Sequence, residues 1–576
     1  MSSPSLAPLK KYRVKVILAP ICKLFECVFE LFVPLLVKRV IDYLSTLPPE
    51  GGYDWKQILY PSLLILALSI FGFGATMITQ YVASRVGADY AYDLRKELYH
   101  QIDRLGDGEV ERYGKSKVLT LISSDSFALQ SGVNMFMRLL IRAPFLIIGS
   151  IVACFLLSWQ AGVIVLSALA LSSVVVGLVM GLTPKRYGAI QGELDHISGL
   201  GEDALSGARP IRAFNRQEED ISSFQGASLS YEKKADSLAR LNAVLNPLTF
   251  LFVDGAVILV LYLTGYRSSE TGISAGTATA VLNYLAQALA ALLAFSRLVT
   301  SLSKAAASKK RVDAFLSLKP SIVEGKEEAH PFQKGEEIFR LEKASLSYGG
   351  EELALKDIDF LLKGGERVGI IGGTGSGKSS LIALLERFQE ASAGQVYYLG
   401  KPIQDYRFSS YRGEIALVSQ KPQLYQGTVR SNILLGNPDA SEEEITSALN
   451  DSLAMEFVGR YSDYLDHPIE ESGANLSGGQ KQRLLLCRAL LSKRPILILD
   501  DATSALDYQS DLRVRQNIHS RGLTCILVSQ RSTSLKDCDR IYVLDQGRLI
   551  AVGTHEELLS SCSIYREIYE TQVAVK

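Results

Sequence analysis

The sequence predicts a multi-domain membrane protein in which a six-helix, all-α transmembrane domain precedes an α/β P-loop domain. Two observations support this fold class. Apolar stretches of membrane-spanning length are concentrated in the first half of the 576-residue chain, and the second half holds a glycine-rich loop between a strand-like and a helix-like run. Hydrophobic residues make up 47% and charged residues 21%, with a formal net charge of zero. This neutral balance argues against a nucleic-acid partner.

Six apolar stretches approach the roughly 20-residue length that a helix needs to cross a bilayer. An even number of spans places both ends of the domain on one side of the membrane. Basic residues precede the first stretch at Lys10 and Lys11 and follow the second at Arg85, whereas residues 47–55 contain none. Because Lys and Arg near span ends remain cytoplasmic, we predict a multi-pass protein in the lipid bilayer of the cytoplasmic membrane, with both termini cytoplasmic. The stretches are 14–36, 58–83, 139–157, 161–182, 243–264 and 278–302.

A phosphate-binding loop is the strongest motif of the second half. The run from Gly372 to Ser379 matches the pattern G-x-x-x-x-G-K-[ST]. Glycines let backbone N–H groups turn toward phosphates at the positive end of the following helix. Lys378 adds a positive charge for the outer phosphates, and the hydroxyl of Ser379 can ligate Mg²⁺. The candidate nucleotide-binding residues of this loop are Gly372, Thr374, Gly375, Ser376, Gly377, Lys378 and Ser379.

A second motif, Leu476-Ser477-Gly478-Gly479-Gln480, precedes a helix-like run and an apolar strand that ends in Asp500-Asp501. Downstream of a P-loop, these residues resemble the ATP-binding cassette (ABC) family, whose signature is LSGGQ and whose Walker B strand ends in Asp-Glu. Together with the six spans, the chain is similar over nearly its whole length to half-size ABC exporters. With an acidic, breaker-containing segment at the junction, we expect a transmembrane exporter domain over residues 1–316, a linker over 317–336 and a nucleotide-binding domain over 337–576.

The resemblance implies roles for single residues, with ATP and Mg²⁺ as cofactors. Tyr348 would stack on the adenine, while Ser379, Gln420 and Asp500 would surround the Mg²⁺. Residues 504–507 would form the D-loop. In ABC proteins two cassettes meet head to tail, so each signature completes the ATP site of the other chain. The residues that would contact an ATP held by a partner are Ser477, Gly478, Gly479 and Gln480.

Two positions depart from the family pattern. Asp501 stands where ABC proteins place the glutamate that activates water, and Gln530 stands at the switch-histidine position. The shorter carboxylate falls short of the attacking water, and a displacement of about 1 Å can cost about 10²-fold in rate. Glutamine donates a hydrogen bond but cannot become cationic. We therefore predict a chain that binds ATP and hydrolyses it poorly at its own site. The alternative is that Asp501 substitutes adequately and the site is merely slow.

The signature matches the family consensus at every position, which indicates that it serves the ATP site of a partner chain. We predict a heterodimer with a second half-exporter that carries the catalytic Glu and the switch His, because a homodimer would contain two impaired sites. The chain most resembles the degenerate-site subunit of bacterial heterodimeric multidrug exporters, which move amphipathic small molecules out of the cytoplasm. Alternatives are a lipid or peptide exporter of the same fold, and a nucleotide-gated regulatory or channel-like subunit with little turnover.

Ionisable residues within the predicted spans are candidates for the substrate cavity. Glu26 and Glu30 are one helical turn apart, and Asp254 interrupts the fifth span. Charged groups at membrane depth are costly and usually face a protein interior or an aqueous cavity. The carboxylates could attract lipophilic cations. Equally, Lys23 could pair with Glu26, and Asp254 with an arginine such as Arg142 or Arg297, in a purely structural role.

Two cytoplasmic segments are candidates for the coupling helices that, in ABC exporters, rest on the cassettes. They lie in the long polar loops 85–137 and 183–242. By position, they are Ser123-Ser124-Asp125 and the run from Arg209 to Phe214.

Overall fold

The computed structural model describes residues 3–46, 54–266, 274–350 and 352–574. The chain divides into two units, described separately: residues 1–103 with 114–318, and residues 104–113 with 319–576. The first unit is all-helical and the second is dominated by an α/β domain, so the predicted fold class is confirmed. The loop at 47–55 lies outside the described residues except for its last two positions.

Long helices form the first unit because its apolar stretches continue into polar segments rich in helix formers. The helix that carries the second apolar stretch has 50 residues, or about 75 Å of rise, against a hydrocarbon core of roughly 30 Å. It therefore extends well beyond a membrane core. The helices are α1 (Arg13–Ser45), α2 (Trp55–Arg104), α3 (Asp107–Tyr113), α4 (Lys115–Thr120), α5 (Ser126–Leu139), α6 (Arg142–Leu157), α7 (Trp159–Ser206), α8 (Ala208–Ala213), α9 (Gln217–Tyr266) and α10 (Ala275–Leu316), of which α3 belongs to the second unit.

Within the described residues, five helical segments are long and apolar enough to cross a membrane. The first predicted span is helical as part of α1 but is not among these five, since Lys23, Glu26 and Glu30 interrupt its apolar surface. The count of six spans therefore stays a prediction. The five segments are Trp55–Arg104, Lys115–Leu157, Trp159–Ser206, Pro247–Thr264 and Ala275–Leu316.

Helix α10 is central to the packing of the first unit, where it contacts α1, α5, α6, α7 and α9. Its buried face includes many alanines, and small side chains let helices approach one another closely. Tyr284 on this face is fully buried and donates a hydrogen bond to the carbonyl oxygen of Leu31 at 2.6 Å. This bond ties α10 to α1.

The first predicted coupling segment lies within the helical unit, and its docking role stays a prediction. Ser123-Ser124-Asp125 lies in a π-helical turn, Leu121–Asp125, of the first unit. Asp125 is buried there and accepts hydrogen bonds from Ser308 Oγ at 2.8 Å and Arg311 Nε at 2.9 Å, so the turn is tied to α10. The Asp125 carboxylate is therefore held within the helical unit, whereas Ser123 and Ser124 are exposed.

Helix α3 lies in the polar loop 85–137 and belongs to the second unit. Arg112 donates a hydrogen bond to the carbonyl oxygen of Tyr348 at 3.1 Å, and Glu109 accepts one from the N–H of Ser321 at 2.9 Å. The second predicted segment forms α8, which has no buried residue, and Phe214 at its end is 79% exposed. Its docking role stays a prediction.

The second unit is built on a six-stranded sheet in the order β12-β11-β3-β10-β9-β6, with a four-stranded antiparallel sheet, β2-β1-β4-β5, and a two-stranded one, β7-β8. In the six-stranded sheet only the edge strand β12 runs antiparallel to its neighbour. The strands are β1 (Glu337–Leu346), β2 (Leu355–Lys363), β3 (Arg367–Ile371), β4 (Ala393–Tyr398), β5 (Lys401–Pro402), β6 (Ile415–Val418), β7 (Gly427–Thr428), β8 (Pro468–Ile469), β9 (Ile496–Asp500), β10 (Thr524–Val528), β11 (Arg540–Asp545) and β12 (Arg548–Gly553).

Helices of the second unit cover the sheet and carry the signature and the C-terminus. They are α11 (Lys378–Leu385), α12 (Phe408–Gly413), α13 (Val429–Ile433), α14 (Glu442–Asp451), α15 (Met455–Val458), α16 (Gly478–Leu491), α17 (Tyr508–Ser520), α18 (His555–Ser561) and α19 (Ser563–Ala574).

The central strands are buried on both faces. In β9, Ile496 and Ile498 point into one hydrophobic cluster, and Leu497 and Leu499 point into another. Successive side chains of a strand alternate between faces, and parallel strands covered on both sides read as continuous apolar runs. This burial explains why the strand before Asp500 has no polar residue.

Candidate nucleotide-binding site

Parallel strands bring the sequence motifs to one edge of the six-stranded sheet. Ile370 of β3, Val528 of β10 and Asp500 of β9 lie at the same level in adjacent strands. The P-loop begins two residues after Ile370, Gln530 lies two residues after Val528, and Asp501 directly follows Asp500. Because ligands of open α/β sheets bind at the carboxyl ends of the strands, these groups converge on one site.

The P-loop has a backbone shape that side chains would obstruct. Gly377 has a φ of +102°, and a Cβ added at Gly372 would lie 2.2 Å from the carbonyl oxygen of Leu544. Lys378 Nζ donates hydrogen bonds to the carbonyls of Gly372 at 2.9 Å and Gly373 at 2.7 Å. Burial lowers the pKa of Lys378, while nearby carboxylates oppose the shift. The loop therefore holds a cation at the positive end of α11, an arrangement that fits phosphate groups.

Two of the three residues predicted to hold Mg²⁺ are in contact beside the loop. Ser379 Oγ donates a hydrogen bond to Asp500 Oδ2 at 3.2 Å. Burial raises the pKa of Asp500, and the charge of Asp501 raises it further. Gln420 follows β6, which pairs with β9, so it leaves the sheet at the same edge. A hydroxyl, a carboxylate and an amide are oxygen ligands of the kind that Mg²⁺ prefers, so the donor set fits this ion.

Asp501 occupies a left-handed backbone conformation with a φ of +50°. Its N–H donates to the carbonyl of Val528 at 3.0 Å, and its carbonyl accepts from Ser504 Oγ at 2.8 Å. Aspartate tolerates this conformation better than most residues because its short polar side chain can bond locally. The backbone at the position of the missing glutamate is thus held from both sides.

The side chains of Tyr348 and Gln530 are both exposed. The hydroxyl of Tyr348 forms a hydrogen bond with Ser380 Oγ in α11 at 3.2 Å, so the ring is beside the P-loop helix. The carbonyl of Gln530 accepts a hydrogen bond from Gln572. The Tyr348 ring is therefore near the P-loop helix, and Gln530 is at the P-loop edge of the sheet.

The signature begins α16 and is solvent-facing. Ser477 is the N-cap: its Oγ accepts from the N–H of Gln480, whose Oε1 in turn accepts from the N–H of Ser477 at 2.8 Å. This capping box uses the Gln480 side chain within its own chain. Ser477 and Gly478 are exposed. Gly479 and Gln480 are half-buried, and contact of these four residues with an ATP held by a partner stays a prediction.

Three polar residues that the sequence did not single out connect these parts. Gln482 joins α16 to residues 504 and 505, Arg531 joins the Gln530 loop to residues 504 and 506, and Gln572 joins α19 to the Gln530 loop. Gln482 interrupts the apolar face of a helix directly after the signature, which is a usable signal for a buried polar contact. Arg531 and Gln572 have no comparable pattern in the sequence.

Charged residues of α1 form a cluster with α6 in the first unit. Lys23 pairs with Glu26, and Arg142 pairs with Glu30 at 3.1 Å and reaches Glu26 at 3.9 Å. Two cations thus face two anions, so the cluster is neutral. The structural alternative predicted for Lys23 and Glu26 is present, whereas Arg142 pairs with the α1 carboxylates instead of Asp254, which is exposed on α9.

A P-loop site with an exposed LSGGQ helix start, fused to membrane-length helices, defines an ATP-binding cassette transporter. Family models match residues 16–292, as ABC transporter transmembrane region, and residues 355–504, as ABC transporter. The ATP-dependent lipid A-core flippase of Chromobacterium violaceum is 30% identical over 534 residues, 91% of this chain and 90% of that protein. The chain belongs to the ABC transporter family.

Other similarities extend over almost the whole chain. The uncharacterized ABC transporter ATP-binding protein YfiB of Bacillus subtilis is 29% identical over 573 residues, 99% of this chain and 98% of that protein. The solved structure of a bacterial Atm1-family ABC exporter with ATP bound matches with a TM-score of 0.78 at 22% identity, covering 97% of this chain and 98% of that one. The chain is an ABC half-transporter with the exporter fold, its membrane region and cassette fused.

Proposed function

We propose that this chain is one subunit of a heterodimeric ABC exporter, that it binds ATP at a site of low turnover, and that its signature completes the hydrolytic site of its partner. The observation that carries the proposal is a complete P-loop beside Asp501 and Gln530, in a chain whose LSGGQ segment is intact, with Ser477 and Gly478 exposed. A decaying subunit has no reason to retain that segment.

Each residue of the site has a defined task in this proposal. Tyr348 stacks on the adenine, Lys378 binds the outer phosphates, and Ser379, Gln420 and Asp500 hold Mg²⁺. The bound ion neutralises charge on the phosphate oxygens. Asp501 is one methylene short of the position from which a carboxylate orients water, a displacement of about 1 Å that can cost about 10²-fold in rate.

Gln530 adds a second deficit at the same site. Its amide donates a hydrogen bond, but it carries no positive charge against the charge that develops on the phosphate during hydrolysis. ATP at this site therefore holds the two cassettes together. The partner half-exporter supplies the Glu and His of the active site, while Ser477 and the two glycines after it approach the ATP bound there.

The membrane arrangement in the proposal has six spans in residues 1–316, a linker over 317–336 and a cassette over 337–576, in a bacterial cytoplasmic membrane with both termini cytoplasmic. The first span is α1, whose charged residues are neutralised by Lys23–Glu26 and Arg142–Glu30 pairing. Pairing of this kind lowers the cost of ionisable groups at membrane depth.

Amphipathic small molecules are the proposed cargo. Because Glu26 and Glu30 are neutralised by cations, they provide little attraction for a lipophilic cation, and Asp254 is the carboxylate of the three that stays exposed. A lipid cargo is the second candidate. It is supported by the neutral cluster and by the relatives named as lipid A-core flippases.

Phosphate release by the purified full-length chain in lipid nanodiscs tests the site. We expect slow turnover of wild type, an increase of at least about tenfold for Asp501→Glu combined with Gln530→His, and no turnover for Lys378→Ala as the control. Brisk hydrolysis by the unmodified chain alone would contradict both the low-turnover site and the need for a partner.

Transport by vesicles that hold this chain and a half-exporter with the missing Glu and His tests the cargo. We expect ATP-dependent uptake of a fluorescent amphipathic compound to survive Glu26→Gln combined with Lys23→Gln, since that pair carries no net charge. Asp254→Asn should lower uptake of a cationic probe more than of a neutral one.

Flipping of a labelled lipid without uptake of either probe would favour the lipid cargo. Nucleotide binding without any transport would favour a regulatory subunit.

A further inference from the structure

Gln572, near the end of α19, bonds the loop that carries Gln530. Its Nε2 donates to the carbonyl oxygen of Gln530 at 2.7 Å. Its Oε1 accepts from the N–H of Ser532 at 2.9 Å and from the hydroxyl of Ser532 at 3.0 Å. Both polar atoms of one side chain therefore bond the same short segment, residues 529–532, called the switch loop below.

Helix α19 is anchored so that it presents Gln572 to the switch loop. Tyr565 is fully buried, and its hydroxyl forms a hydrogen bond of 2.7 Å with His555 Nδ1. Ile568 packs against the same hydrophobic cluster. Residues 565, 568 and 572 have the i, i+3, i+7 spacing of one helix face. The face of α19 that packs against the domain therefore also carries Gln572, which bonds the switch loop.

Residues 504 and 506 also hold the switch loop. Arg531 donates hydrogen bonds to the carbonyls of Ser504 at 3.0 Å and Leu506 at 3.3 Å. Asp501, Gln530 and Gln572 line one open cavity of about 750 Å³. The backbone of Gln530 is thus held between the turn after Asp501 and the C-terminal helix, while its side chain is exposed at the edge of the site.

We propose that Gln572 is a positioning residue for the γ-phosphate end of this chain's own ATP site. By bonding the carbonyl of Gln530 and the amide of Ser532, it keeps the Gln530 side chain directed toward the position of the γ-phosphate. The C-terminal helix thereby sets how strongly the site prefers ATP over ADP. This inference rests on the proposed role of Gln530 as the residue at the switch position.

The test compares nucleotide preference in the full-length chain in nanodiscs. Adenylyl imidodiphosphate and ADP, each with Mg²⁺, displace a fluorescent ATP analogue from wild type and from Gln572→Leu, which keeps the side-chain size and removes both polar atoms. We expect the preference for the triphosphate to fall roughly two- to tenfold, the range of one lost hydrogen bond. Affinity for ADP should stay the same, and hydrogen exchange of the Ser532 amide should accelerate.

Two further variants separate positioning from general stability. Glu570→Gln changes an exposed residue of the same helix and should leave preference and exchange unaltered. Gln572→Glu keeps the acceptor for Ser532 and removes the donor to Gln530, so we expect Ser532 to remain protected and the preference to be intermediate.

Gln530→Ala is the reference for the proposed function. If it lowers the preference while Gln572→Leu leaves it unchanged, the positioning role is overturned and the proposed role of Gln530 stands. If neither variant alters the preference, the proposed role of Gln530 falls, and the inference built on it falls as well. Unchanged hydrogen exchange in Gln572→Leu would overturn the inference by itself.

Discussion

Gln482 Nε2 donates a hydrogen bond to Ser504 Oγ at 3.1 Å. The other atom of the same amide, Oε1, accepts from the N–H of Ala505 at 2.9 Å. Gln482 is buried in the signature helix α16, and Ser504 itself bonds the carbonyl of Asp501. The segment proposed to serve the partner's ATP is therefore connected by two side chains to the turn beside this chain's own acidic pair.

The first prediction concerns this connection. Gln482→Leu keeps the side-chain volume but leaves the N–H of Ala505 without its partner, and an unsatisfied buried donor costs about 1–3 kcal/mol. We expect a lower thermal midpoint for the full-length protein. Gln516→Leu, an exposed glutamine in α17, is the matched control and should shift the midpoint little. Equal midpoints for the two variants would show that the Gln482 contacts contribute nothing.

A second prediction uses pH. Glu386 is buried, its Oε1 has no hydrogen-bond partner among the described residues, and burial raises its pKa to about 7, against the opposing charges of Arg412 and Arg494. The folded-state pKa lies above the unfolded value. The stabilising contribution is therefore fully present below about pH 4.5 and is lost as pH rises through about 7.

Glu386→Gln removes this titration without changing side-chain size. We expect the variant to be more stable than wild type at pH 8 and not at pH 5, measured as thermal midpoints of the full-length chain. Glu471→Gln, an exposed residue of the same unit, should show no such pH-dependent difference. A gain of equal size at both pH values would mean that the ionisation of Glu386 is not its cause.

A third prediction concerns Asp125, which ties the π-helical turn to α10. Asp125→Ala removes the acceptor for Ser308 and Arg311, and hydrogen bonds to charged groups contribute about 1.5–3 kcal/mol each. We expect a clear loss of thermal stability. Asp236→Ala breaks an exposed aspartate–arginine pair and is expected to cost less than about 1 kcal/mol. Similar losses in both variants would contradict the assigned role of burial.

The fourth prediction concerns the neutral cluster of the first unit. Arg142→Met leaves the carboxylate of Glu30 without this cation, whereas Arg142→Met with Glu30→Gln restores neutrality. Breaking a partly buried pair from one side costs more than removing both charges. We expect the single variant to lose stability in detergent and the double variant to recover most of it. A double variant as unstable as the single one would show that packing of Arg142, and not its charge, is what matters.

Much of the cassette follows from short-range patterns. The P-loop, the LSGGQ segment and the apolar strand before Asp500 are recognisable because glycine conformations, helix capping and burial of a strand on both faces impose residue types over a few consecutive positions. The approximate membrane segments are recognisable for the same reason, since bilayer thickness dictates their length. The predicted span in α1 is less clear from its sequence, because it contains charged residues that pair with one another and with Arg142 on α6.

Contacts between distant residues could not be predicted in this way. Gln572 and Gln530 are 42 positions apart, and Asp125 and Arg311 are 186 apart. A polar residue in a helical run has the same local pattern whether it faces solvent or bonds a distant carbonyl. The bonding of Asp125 to α10 and the place of α3 in the second unit were not predicted for that reason. Residue patterns thus established the family, the motifs and the substitutions at Asp501 and Gln530, whereas packing of helices and loops against one another established which side chains hold those motifs in place.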